Sequence, residues 1–481
     1  MKGMTNILGG KLRRNKPCLT PDERSSHNKS KHCRADKSQR RCYGYARFFL
    51  WVSMLLYLCS AGPDLFWLVG WKPEKPEAVG DVIQKPMVRA GGLVTNVLAE
   101  ENYTQGRGRK NVFSDSRAEF SGFVDVKVFV YELPSEFNED WLVNSRCASH
   151  LFAAEVAIHR ALLNSSVRVF DPQEADFFFV PVYVSCNFST KNGFPALGHA
   201  RPLLGSAVRY ISETMPFWNR SGGSDHVFAA THDYGACFHA MEDVAIRDGI
   251  PEFLQNSIIL QTFGVKGKHR CQDVEHIQIP PYVAPKPIEA LWAAAPLKAK
   301  RDIWVFFRGK MEIHPKNISG RVYSKGLRTV IWQKFGHNRR FYIKRTRFEG
   351  YHTEILRSVF CLCPLGWAPW SPRIVESVAL GCIPVIIADN VALPYPDVVP
   401  WANISLSVPE RDVAKLGKVL ERVTATNLTA IQNNLWNDTI RRALLFNEPL
   451  QRGDATWQVL HGLTRKLSRS YRNRSTSVLL E

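Results

Sequence analysis

The stretch that most restricts what this chain can fold into is SVFCLCPLGWAPWSPRIVESVALGCIPVIIAD, residues 358–389. Its first run is continuously apolar, as expected of a strand covered on both faces; a half-exposed strand would alternate. After a glycine-containing loop, Ser371-Pro372 has the chemistry of a helix start. A serine oxygen accepts from the free N–H groups there, and proline at the first helical position gives up an N–H that lacks a partner anyway. Gly381 predicts the helix end and IPVIIAD the next buried strand. Two buried strands joined through a helix make a parallel βαβ unit.

The same alternation recurs upstream. VKVFVY (126–131) reads as a strand, ASHLFAAEVAIHRALL (148–163) as a helix, and ADFFFVPVYV (175–184) as a buried strand. HVFAATHDYG, SIILQTFG and DIWVFFRG repeat the strand pattern, with helical segments between them. This predicts α/β layers with parallel sheets. A length of 481 residues exceeds what one core usually holds, and PPYVAPKP (280–287) is the natural break. The expectation is two Rossmann-like domains, 125–290 and 291–465, facing a cleft, with a short tail at 466–481.

Residues 1–47 carry +10 of the formal +19, so half of the basic charge lies in a short polar tail. Nucleic-acid binding would want that charge on a folded face, and is not expected. The tail precedes FFLWVSMLLYLCSAG, and the apolar stretch continues to Gly70 with Asp64 as its one acid. A 23-residue span at 48–70 with a basic N-terminal flank predicts a signal-anchor, tail in the cytosol and everything beyond in the lumen. Residues 71–124 are polar, Gly/Pro-dotted and aperiodic, as a flexible stem would be. Nine Asn-X-Ser/Thr acceptors follow the apolar run, at Asn102, Asn164, Asn187, Asn219, Asn317, Asn403, Asn427, Asn437 and Asn473. They collectively favour a secretory-pathway domain. Seven of the eleven cysteines lie beyond the stem, enough for three bridges and one thiol.

A helix start at a sheet edge offers N–H groups and positive dipole to an anion such as a diphosphate. Arg373, in the first turn, can add a bidentate contact, and Glu376, on the same face, can accept from two ribose hydroxyls. A plain βαβ unit in which this Arg and Glu pair fits the spacing equally well. Arg308 and Lys310, around Gly309, are candidates for a second anion contact, or a solvated strand end. The run Arg339, Arg340, Lys344, Arg345, Arg347 reads as a solvated face, or as a grip on phosphate or an acidic sugar. Trp367 and Trp370 offer either stacking faces for a base or sugar, or packing against the other domain.

This segment, with HDYGACF, QTFG, PPYVAP and WVFFRGKMEIHPKNISGR, resembles the plant exostosin-like glycosyltransferases of family 47, closest to the glucuronoxylan glucuronosyltransferase branch. The resemblance runs from about Val126 to Leu463 and implies a GT-B fold and an inverting transfer from a UDP-sugar. UDP-glucuronate or UDP-xylose would be the donor and xylan or a xylo-oligosaccharide the acceptor. The compartment would be the Golgi membrane, beside other xylan-synthesis glycosyltransferases. The donor would contact Gly366, Ser371, Arg373 and Glu376. The resemblance also implies a Cys361–Cys382 bridge, with Cys147–Cys186 and Cys237–Cys271 as further pairs and Cys363 as the free thiol. No Asp-X-Asp occurs, so no metal and no cofactor is expected, and Arg, Lys and helix N–H groups must stabilise the leaving diphosphate. An inverting transfer needs a base for the acceptor hydroxyl. His232 and Asp233, in the loop after HVFAA, are the first candidates; Asp225, His226 and Glu155 are alternatives. Rival expectations are β-1,4-xylosyl transfer and a non-catalytic scaffold subunit.

Overall fold

A computed structural model describes residues 125–186, 197–294, 300–312, 317–318, 321–345 and 349–472. The expected tail, anchor and stem at 1–124 lie outside the described residues, as do Asn102, Asn187, Asn473 and Arg347. Among the described residues, no helix is long and apolar enough to cross a membrane.

The first sheet has six strands: β1 (Val128–Val130), β2 (Arg168–Val169), β3 (Phe177–Phe179), β4 (His226–Ala230), β5 (Ile258–Gln261) and β6 (His276–Gln278). Their order is β2-β1-β3-β4-β5-β6, and every recorded pairing is parallel. The second sheet contains β7 (Ile303–Arg308), β10 (Phe341–Lys344), β11 (Ser358–Pro364), β12 (Ile383–Ile387) and β13 (Leu406–Ser407); a small antiparallel ribbon, β8 (Asn317–Ile318) with β9 (Arg321–Val322), stands apart. The second sheet runs β10-β7-β11-β12-β13, again parallel throughout. Two parallel sheets joined through helices are the α/β architecture that the alternation predicts.

Strand β3 is shorter than the apolar run 175–184 because Pro181 has no N–H for the ladder; the chain stays buried as far as Cys186 without being strand. Strand β10 escapes the apolar-run criterion because FYIK sits among basic residues. It is an edge strand, and charge at an edge discourages further pairing. The helices that matter below are α1 (Ala154–Leu163), α2 (Pro285–Ala294), α3 (Leu327–Phe335), α4 (Tyr351–Leu356), α5 (Pro372–Ala379) and α6 (Ala455–Thr464). Helix α2 runs through the expected boundary at 290/291, and its Trp292 donates to the Ala379 carbonyl of α5 at 2.8 Å.

One apolar cluster extends from Val128 and Phe177 of the first sheet to Phe306, Leu362 and Val385 of the second. A backbone ladder joins the loop after β5 to the loop after β12: Ala392 donates to Gly264 at 3.0 Å and Lys266 to Asn390 at 2.6 Å. After α6 the chain returns to the first sheet, where Lys466 pairs with Glu275 and Arg472 approaches Asp176 at 3.2 Å. Disulfides join Cys147 to Cys186, Cys237 to Cys271 and Cys361 to Cys382; Cys363 is a buried free thiol.

Candidate active site

From β7 the second sheet grows one way to β10 and then the other way to β11. Where strand order reverses, the two crossover helices leave on opposite faces and a crevice opens beyond the strand carboxyl ends, the usual ligand position in open α/β sheets. Here the crevice is bounded by Arg308-Gly309-Lys310 after β7 and by the 365–371 loop after β11.

Helix α5 starts at this crevice. Ser371 is its N-cap, its hydroxyl accepting from the Arg373 N–H, and Pro372 takes the first helical position. Gly381, with φ +69°, follows the helix end in the left-handed conformation favourable to glycine. Both expected donor residues on α5 are deeply buried, Arg373 and Glu376 each 3% exposed. The Arg373 guanidinium donates to the Arg308 carbonyl and to the Tyr351 hydroxyl at 3.1 Å, and lies 4.5 Å from the Phe307 ring centre. Glu376 accepts from that same Tyr351 hydroxyl at 2.8 Å, and His352 Nε2 lies 3.5 Å from its other oxygen. The pair is thus linked through Tyr351.

A second guanidinium, which the sequence does not single out, converges on the same place. Arg328, in the first turn of α3, donates to the carbonyls of Leu365 and Pro364 at 3.0 Å each and of Lys310 at 3.3 Å. Gly309 fits between the two arginines: a Cβ there would lie 2.9 Å from Arg373 Nη2 and 3.8 Å from Arg328 Nη1. Gly366 is close as well, its Cβ position 3.7 Å from Arg328 Nη2. Two buried guanidiniums and a helix start at one crevice make it electropositive, which suits an anion.

The flanking candidates divide. Arg308 is held by Glu354 in a 2.6 Å ion pair, turned to an acid of its own half. Lys310 is 57% exposed at the rim, 4.5 Å above the Tyr323 ring and near Trp367. In the basic run, Arg340 stacks 3.7 Å from the Trp304 ring centre and pairs with Glu421. Trp370 packs edge-on against Phe152 of the first half, and its indole donates to the Asp233 carbonyl at 3.2 Å. The Tyr234 hydroxyl donates to the Trp367 carbonyl at 3.0 Å. These two bonds bring the His232–Tyr234 loop, beyond the carboxyl end of β4, against the loop after β11.

Within that loop the two base candidates differ. His232 is fully buried against Phe238, and desolvation with nearby histidines lowers its pKa to about 3, which leaves a neutral, weakly basic imidazole. Asp233 is partly exposed, and desolvation pushes its carboxyl up to about 7. A base is most effective when its pKa lies near the working pH, so Asp233 is the better matched of the pair. Glu155, at the start of α1, is fully buried and accepts from the Ser185 N–H at 2.9 Å, and desolvation raises its pKa well above the usual range. Asp225 and His226 bond to each other at 2.8 Å at the start of β4, the strand end opposite the crevice-facing loop.

Comparison with known proteins identifies the class. The exostosin GT47 domain matches residues 124–423, so this chain belongs to the exostosin GT47 family of glycosyltransferases. Among curated proteins it is 64% identical over 359 residues to a "probable glucuronoxylan glucuronosyltransferase" of Arabidopsis thaliana, covering 74% of this chain and 80% of that one. A second Arabidopsis thaliana protein with the same description is 65% identical, covering 73% of this chain and 75% of its own length. A "probable glucuronosyltransferase" of Oryza sativa subsp. japonica is 62% identical over 72% of this chain and 81% of its own.

Proposed function

We propose that this protein transfers glucuronate from UDP-glucuronate to a xylan chain in glucuronoxylan synthesis. The observation that carries the reading is the convergence of Arg373, Arg328 and the capped start of α5 at the β7/β11 crevice, in a chain most of whose length aligns with glucuronoxylan glucuronosyltransferases. The diphosphate would sit over Gly309 and Gly366, with Arg373 and the positive end of the α5 dipole holding its charge and Glu376 on the ribose. Lys310, exposed at the rim beside Glu312, would supply a further cation for the donor's remaining negative charge. The two halves would then act as a GT-B pair, with the nucleotide-sugar on the second half and the acceptor on the first.

In the reaction, an acceptor hydroxyl oxygen bonds to the sugar's anomeric carbon as the bond from that carbon to the diphosphate oxygen breaks. Asp233 takes the hydroxyl proton, and UDP leaves with the bonding electrons. Inversion at the anomeric carbon follows from this single displacement. Charge on the leaving diphosphate is met by guanidinium donors and the positive end of α5, so no metal ion is required. The protein would work in the Golgi lumen, anchored by residues 48–70.

The test is transfer to xylo-oligosaccharides with UDP-glucuronate and UDP-xylose in separate reactions, with and without EDTA. Product from UDP-glucuronate that EDTA leaves intact is expected. Product from UDP-xylose alone would assign the protein to backbone xylosyl transfer, and no product from either would favour a scaffold role. The lumenal orientation has its own check. Asn164, Asn219, Asn403, Asn427 and Asn437 are all exposed, so enzymatic removal of N-glycans from the cellular protein should lower its apparent mass. An unchanged mass would contradict lumenal placement of these acceptors.

A further inference from the structure

We infer that Tyr351 is a positioning residue that couples the phosphate end of the donor site to its ribose end. The inference rests on the donor reading above, and deepens it. The phenol has one proton to give and lone pairs to receive with, and the structure uses both. It donates to Glu376 Oε2 at 2.8 Å and accepts from Arg373 Nε at 3.1 Å. Because Arg can only donate and an ionised carboxylate can only accept, these directions are fixed.

Local structure holds the phenol in place. Gly350, with φ +76°, turns the chain into α4 so that Tyr351 starts the helix, its ring 5.7 Å from that of Phe306 on β7. The next residue, His352, reaches the other oxygen of Glu376. Consecutive residues at one helix start therefore address both oxygens of the carboxylate, and one of them also orients the guanidinium. A nucleotide that engages Arg373 finds Glu376 already turned to it, so less ordering is needed when the second contact forms.

The experiment is calorimetric titration of UDP, with donor kinetics alongside, on the full-length protein in detergent. The variants are Tyr351→Phe, Arg373→Lys, Glu376→Gln and the Tyr351→Phe/Glu376→Gln double. Tyr351→Phe keeps the ring packing and removes the bridge. It is expected to weaken UDP binding and raise the donor KM about tenfold, with kcat at saturating donor within about twofold, and to lower Tm by a few degrees because Glu376 Oε2 and Arg373 Nε each lose a buried partner. The double variant should lose less affinity than the two single losses added together, because the phenol acts in part through that carboxylate. If Tyr351→Phe binds UDP normally while Arg373→Lys and Glu376→Gln do not, the coupling role is overturned and the donor site stands. If all three bind normally, the donor site itself is wrong. A Tyr351→Phe protein whose Tm and kcat fall together, with KM unchanged, would make the residue merely structural.

Discussion

Replacing Arg373 with alanine is expected to lower UDP affinity about 100-fold, the largest effect of any single change at the crevice. A charge-assisted hydrogen bond contributes roughly 1.5–3 kcal/mol, and a guanidinium aimed at a diphosphate makes at least one. The same side chain has structural duties: it satisfies the Arg308 carbonyl and the Tyr351 hydroxyl. Each buried acceptor left unpaired costs about 1–3 kcal/mol, against a total stability of about 5–15 kcal/mol, so Arg373→Ala should also lower Tm by several degrees. Arg373→Lys separates the two effects. It keeps the charge but not the planar fork, and should lose most of the affinity while melting closer to wild type. Titration with UDP and thermal melting of both variants provide the check. Near-normal UDP binding by the lysine variant would show that charge alone, and not fork geometry, is needed.

The second large effect is expected at Asp233. Desolvation pushes this carboxyl up to about 7, so the ionised, proton-accepting form grows as pH rises through neutrality. The wild-type kcat/KM should therefore climb between about pH 6 and 8 and level off above. Asp233→Asn cannot accept the proton, and should lose about 10²–10⁴-fold in kcat with little change in UDP affinity, and with the neutral-pH limb gone. His232→Gln is the companion. With a pKa near 3, His232 is already neutral throughout this range, and its removal should leave the shape of the pH profile intact. If His232→Gln flattens the profile and Asp233→Asn does not, the two roles are reversed.

Much of this site is written in local sequence. A serine-proline pair before an apolar helix and a glycine after it place Arg373 and Glu376 in the first turns of α5, and the structure forms that cap. The apolar runs of β4, β5, β7, β11 and β12 are equally local. What was not legible depends on contacts distant in sequence. Arg328 is an unremarkable arginine near a helix start; it matters because the chain, after its excursion through β10, returns as β11 beside β7 and brings that strand's end, 36 and 37 residues on, against the start of α3. Tyr351 lies 22 and 25 residues before its two partners, on a six-residue helix with no strong periodicity. The choice between His232 and Asp233 was illegible for another reason. The two are adjacent, and burial, which only the packed loops decide, separates their proton affinities.

The most direct measurement is a crystal structure of the protein with UDP bound. The diphosphate should lie beyond the ends of β7 and β11, over Gly309 and before the start of α5, within hydrogen-bond distance of Arg373, with the ribose hydroxyls on Glu376. A nucleotide seated anywhere else, such as beyond the strand ends of the first sheet, would contradict the account.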